Sequence, residues 1–180
     1  PIARPHMFPL LVFVQFAVAA AGLVVEILAG RMLAPYVGMS LYTWTAVIAV
    51  VLAGFSAGHW VGGYIAEKPT GTALKQTALA MALAALTTAL TLMILRALAA
   101  GVITSFSSAE VSILVLASAI AFLPSFFAGI PSPVLARIAV ALKTGREGAA
   151  LGAIFAASSL GAIAGTLATG FLFIAWFGTQ

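Results

Sequence analysis

The chain has 180 residues, of which 63% are hydrophobic and only 7% charged, eight of them basic and four acidic. A soluble domain normally has about a quarter of its residues charged, so this chain has too few to coat a globule in water. The net charge of +4 does not point to nucleic acid, because the cations sit at the edges of apolar runs and form no basic stripe with interleaved aromatics.

A helix needs about 20 apolar residues, at 1.5 Å each, to cross a hydrocarbon core of about 30 Å. The first such run covers residues 8–30 and is interrupted only by Gln15 and Glu26. It is too long for a signal peptide and lacks a basic leader and cleavage pattern. Further spans are expected over 41–65, 74–99, 110–130 and 148–177, the last without a single charge. Residues 131–146 are different. Between Pro131-Ser132-Pro133 and Lys143 lie about ten residues, roughly 15 Å of helix, which is too short to cross; Arg137 and Lys143 fit a short helix lying in the interface.

The fold class is therefore all-α: a polytopic membrane helix bundle of about five transmembrane helices plus a short interfacial helix, surrounded by lipid bilayer. Five crossings place Arg4, Lys68, Lys75, Arg137, Lys143 and Arg146 on one side and Arg31 and Arg96 on the other. That asymmetry puts the N-terminus in the cytoplasm of a cell (inner) membrane protein. A sixth span over 131–143 would erase the bias. A chain that starts at Pro1 and stops at Gln180, straight after an apolar helix, is expected to belong to a longer parent.

Polar residues inside the spans are the candidate membrane site: Glu26, Arg31 and Gln15. A carboxylate near the end of an apolar helix needs a partner or water. Glu26 is read either as half of an interfacial pair with Arg31 that fixes the following loop, or as a proton- or cation-responsive group. Gln15 is expected to hydrogen-bond to a neighbouring helix. His59 and Trp60 read as an interfacial pair, Tyr36, Tyr42 and Trp44 as interfacial aromatics around the first outer loop, and Arg96 as a residue reaching the outer interface. Glu110, after Ser107-Ser108, reads as an N-terminal cap.

Small residues form two ladders. Gly54, Gly58 and Gly62 recur every four residues in the second span, with Gly63 beside the last; Ala153, Ala157, Gly161, Gly165 and Thr169 do the same in the final one. Such faces let another helix backbone approach closely, so other transmembrane helices or subunits are expected partners. No catalytic constellation is present: there is no phosphate loop, paired carboxylates or nucleophile–base set. Without cysteine, and with His6 and His59 alone, no metal site is expected. The chain is read as not an enzyme, without cofactor.

Three stretches carry a family resemblance. They are Glu26 to Gly38 with Ser40 to Thr45, then Gly58 to Lys68, and Ile130 to Pro133 with Gly145-Arg146-Glu147-Gly148 and the Gly161–Gly165 ladder behind it. Together they resemble the transmembrane region of membrane-bound spermidine-synthase-like proteins, fused to a transporter-like domain, over nearly the whole chain. The latter two stretches are also similar to loops of major-facilitator transporters, with Glu67 where Asp is commoner. The resemblance implies part of a major-facilitator half. It also implies a soluble aminopropyltransferase-like domain following in the parent; that domain is absent from these residues, so no catalytic position carries over.

Three functions are consistent with this reading. The first is a non-catalytic membrane domain anchoring or assisting a synthase-like domain or partner. The second is a transporter or channel subunit for polyamines or small cations, lined by Glu26 and Gln15. The third is a structural subunit of a larger membrane complex, held by the glycine ladders.

Overall fold

The computed structural model describes residues 6–173, and every regular element among them is helical. Expectations that concern Arg4, the chain termini and residues 174–177 of the final span lie outside the described residues. In chain order the elements are α1 (Met7–Val37), α2 (Leu41–Ala66), α3 (Thr70–Ser105), α4 (Ala109–Gly129), α5 (Pro131–Leu142) and α6 (Glu147–Ala168), the last running into a π-helical turn over Thr169–Phe173. Five helical segments are long and apolar enough to cross a membrane, with Ala109–Leu142 counting as one. The protein is a multi-pass membrane protein built as an all-α bundle.

The helices outrun the apolar stretches. α1 continues from residue 30 to Val37, and α3 reaches from Thr70 to Ser105 instead of 74–99. A helix satisfies its own backbone wherever it lies, so it has no reason to stop where hydrocarbon gives way to headgroups. It stops where local chemistry ends it. At Gly38, φ is +77° and the amide donates to Ala34 O at 2.9 Å. Ser40 then caps α2, accepting from Thr43 N at 3.2 Å, while Thr43 Oγ1 donates to Gly38 O at 3.0 Å. A three-residue link is closed from both sides. At the other end of the bundle, Arg137 Nη1 donates to Lys68 O at 3.2 Å, tying α5 to the link between α2 and α3.

The expected interfacial helix over 131–146 differs from what forms. Ile130 is itself helical (φ −59°, ψ −40°), so α5 extends α4 without leaving the bundle. Its Pro131, Val134, Leu135, Ile138 and Ala139 are buried, the last four in a cluster with Leu11, Ala66, Ala73 and Ile154 from α1, α2, α3 and α6. Pro131 cannot donate to Phe127 O; the Ile130 amide does so instead, at 3.4 Å. This local tightening lets a proline pair pass through a continuing helix.

Register fixes direction. Gly54, Gly58 and Gly62 of α2 meet Phe122, Phe126 and Ile130 in turn, so α2 and α4 run parallel. Gly161 and Gly165 of α6 meet Phe16 and Ala20, so α6 runs parallel to α1. Gly22 and Gly30 of α1 meet Phe55 and Trp44, descending in number, so α1 and α2 are antiparallel. Parallel packing of α1 with α6 requires an even number of reversals between them, which α4 and α5 satisfy as one crossing and not as two.

Apolar burial divides into two layers. One joins Ala29 and Leu33 (α1), Val47 and Val51 (α2), Leu95 and Ala99 (α3) and Leu116 to Ala121 (α4). The second is the cluster around α5. Between the layers, at mid-depth, lie the features described next.

Candidate functional site

Gln15 is a buried polar side chain within α1, 2% exposed. Its Nε2 donates to Ser132 Oγ at 3.2 Å and to Ser158 Oγ at 2.5 Å, joining α1, α5 and α6 at one point. Both amide hydrogens are then used. Its Oε1 is buried and accepts nothing. Turning the amide over would give Oε1 two hydroxyl donors but strand two N–H groups. The orientation with one unpartnered oxygen leaves less unsatisfied, and it leaves each serine hydroxyl hydrogen free for its own helix's carbonyls.

Ser132 and Ser158 are hydrogen-bond partners of Gln15 that sequence reasoning missed. Ser132 sits between two prolines and Ser158 beside the α6 ladder, and neither position marks a hydrogen-bond partner by itself. The available signal was Gln15 itself: a lone carboxamide in an apolar helix demands partners, and few polar residues can reach it.

One helical turn further along α1 is a cavity of about 440 Å³. Val18, Gly22 and Val25 line it from α1, Phe55 from α2, Met81 to Ala89 from α3, and Pro124, Ser125 and Ala128 from α4. On every helix these residues fall between the two apolar layers. Ala21, Met81, Ala85 and Ala89 are exposed, so the cavity opens sideways between α1 and α3. Pro124 shapes its wall. A proline removes the hydrogen bond to the carbonyl four residues earlier, here Ile120 O, and Thr91 Oγ1 of α3 approaches that carbonyl at 3.4 Å.

Glu26 and Arg31 are not brought together. Five residues on a helix amount to about 140° of rotation; Glu26 is half-buried whereas Arg31 is exposed. Among the described residues, no hydrogen bond or ion pair joins them, and neither lines the cavity. Gln15 therefore stands apart from the other two members of the expected membrane site.

The glycines lie at backbone contacts. A Cβ at Gly54 would stand 2.8 Å from both Phe122 O and Ser125 Cβ; at Gly58 and Gly62 it would collide with Phe126 O and Ile130 O. On α6, Gly161 and Gly165 are pressed in the same way against Phe16 O and Ala20 O. Both ladders are used inside the chain. Gly63 faces open space.

The remaining expectations resolve individually. The cap of α4 is Ser108, whose Oγ accepts from Val111 N at 3.3 Å and donates to Glu110 Oε2 at 2.6 Å; Glu110 braces the cap and is not the cap itself. His59 is exposed and stacks on Phe55 at 6.0 Å between ring centroids. Trp60 Nε1 donates to Tyr64 Oη at 3.2 Å on the same exposed face. Tyr36, Tyr42 and Arg96 are exposed, while Trp44 is partly buried against Gly30. Among the described residues no group of His, Cys, Asp and Glu could hold a metal. Comparison with known protein families, with curated proteins and with solved structures finds no match for this chain.

Proposed function

We propose that the chain is a non-catalytic domain of the cell's inner membrane, N-terminus inside, that anchors or assists a synthase-like domain. The observation carrying the anchoring reading is the backbone-level contact of α2 with α4 and of α1 with α6. These contacts make a self-supporting bundle whose small-residue faces are consumed within the chain. The synthase-like cargo is supported by the resemblance of Glu26 to Gly38 and of Gly58 to Lys68. Reading the gene beyond Gln180 tests it. An open frame leading into a soluble α/β domain is the expected result; an immediate stop, with no such domain copurifying, would leave the anchor without cargo.

A transporter for polyamines or small cations has weaker support. The cavity walls offer only the Thr88 and Ser125 hydroxyls as polar side chains, and a cation crossing them would have no counter-charge. Flux into proteoliposomes that depends on Glu26 would reverse this order. A structural subunit held by the ladders is also less favoured, since those faces are already occupied.

A further inference from the structure

We propose that Arg137 and Lys68 form a binding site for the phosphate of an anionic phospholipid, where α5 meets the link between α2 and α3. The two cations come from different elements and are held together through neutral acceptors. Arg137 Nη1 donates to Lys68 O at 3.2 Å, and Lys68 Nζ donates to Gln76 Oε1 of α3 at 3.0 Å. One contact apiece leaves most of their donors unspent, since a guanidinium carries five N–H groups and an ammonium three. Both residues are exposed, and among the described residues neither pairs with a carboxylate. Of the two carboxylates at this end of the bundle, Glu147 accepts from Gly145 N at 2.6 Å. Glu67 precedes Lys68 and offsets one charge of the two, which leaves the site cationic.

Depth selects the ligand. Arg137 stands about twelve residues past the middle of the Ala109–Leu142 crossing, or about 18 Å along the helix axis. The hydrocarbon half-thickness is about 15 Å, so the guanidinium lies in the headgroup layer. It is exposed while Val134, Ile138 and Ala139 beside it are buried, so it faces away from the bundle. A phosphodiester offers acceptor oxygens that match the planar guanidinium fork. A zwitterionic lipid brings the same phosphate with an ammonium of its own, which the two cations repel; phosphatidylglycerol brings no such charge. Lys143 is turned elsewhere, its Nζ over the Phe8 ring of α1 at 4.8 Å from the centroid.

The test uses the purified chain in nanodiscs of equal parts phosphatidylglycerol and phosphatidylcholine, one or the other carrying a diazirine at the head end of an acyl chain. Labelled residues are located by mass spectrometry. Labelling of residues 66–72 and 137–142 should be about fivefold greater from phosphatidylglycerol, the factor that one net basic residue supplies at a membrane surface. Arg137→Gln together with Lys68→Gln should bring the two lipids to parity there. Lys143→Gln together with Arg146→Gln removes the same charge from the same end and should leave most of the preference in place. Equal labelling of the unaltered chain by the two lipids would overturn the proposal, and this comparison needs no variant to fold. An equal loss of preference in both double variants would overturn it too, since diffuse surface charge would then suffice. So would displacement of the lipid by millimolar glycerol 3-phosphate at constant ionic strength, which would assign the donors to a soluble phosphate. The outcome is independent of whether a synthase-like domain follows.

Discussion

Gly62 and Gly63 are neighbours in sequence with opposite surroundings. One lies against the Ile130 carbonyl and the other faces open space. At Gly58 the obstacle is the Phe126 carbonyl, which belongs to a helix backbone and cannot rotate aside as a side chain would. Gly58→Leu should therefore lower the stability of the folded chain by 3 kcal/mol or so, at the upper end of overpacking costs. Gly63→Ala should be neutral or stabilising by up to about 1 kcal/mol through helix propensity. Thermal unfolding in detergent compares the two; equal losses would mean that the α2–α4 contact is looser than described. The serine partners of Gln15 allow a second comparison. Ser158→Ala strands one amide hydrogen and should cost about 0.6–2 kcal/mol, the range for hydrogen bonds between membrane helices. Ser159→Ala alters an exposed neighbour and should cost less, again by thermal unfolding.

Among the elements, α4 and α5 show best how proline is accommodated in an apolar helix. Pro124 frees Ile120 O, and Thr91 supplies a hydroxyl from α3 while also donating to its own Thr87 O at 3.1 Å. Pro124→Ala restores the missing N–H, so the two sites should be coupled. Thr91→Val is expected to cost about 1 kcal/mol in the unaltered chain and markedly less beside Pro124→Ala. Additive losses in a double-mutant cycle would show that the hydroxyl serves only α3. These elements also show where sequence reading stops. Apolar runs located the crossings because lipid exposure is a property of composition. They could not mark helix ends, which depend on Gly38, Ser40 and Ser108 chemistry. Residues 131–146 read as a separate interfacial piece because the run between the prolines and Lys143 is too short to cross by itself; burial of α5 against α1, α2, α3 and α6 keeps it in line with α4. Gln15 could be recognised as needing partners, whereas Ser132 and Ser158 could not be paired with it across 117 and 143 residues of separation. Glu26 and Arg31 lie close in sequence, yet helix rotation separates them.

For the whole molecule, direction is the decisive property. Parallel pairing of α1 with α6 fits a chain that crosses the bilayer five times, with Ala109–Leu142 as one crossing. The positive-inside reading rests on that parity, and so does any account of what the bundle anchors. The chain contains no cysteine, so single cysteines can be introduced without background at Met39, Lys68, Ser107 and Thr144, one in each link between crossings. Labelling intact spheroplasts with a membrane-impermeant maleimide, before and after opening the membrane, tests the arrangement directly. Met39→Cys and Ser107→Cys should react from outside, and Lys68→Cys and Thr144→Cys only once the membrane is opened. Thr144→Cys reacting together with Met39→Cys would mean that α4 and α5 cross separately, contradicting the five-crossing bundle.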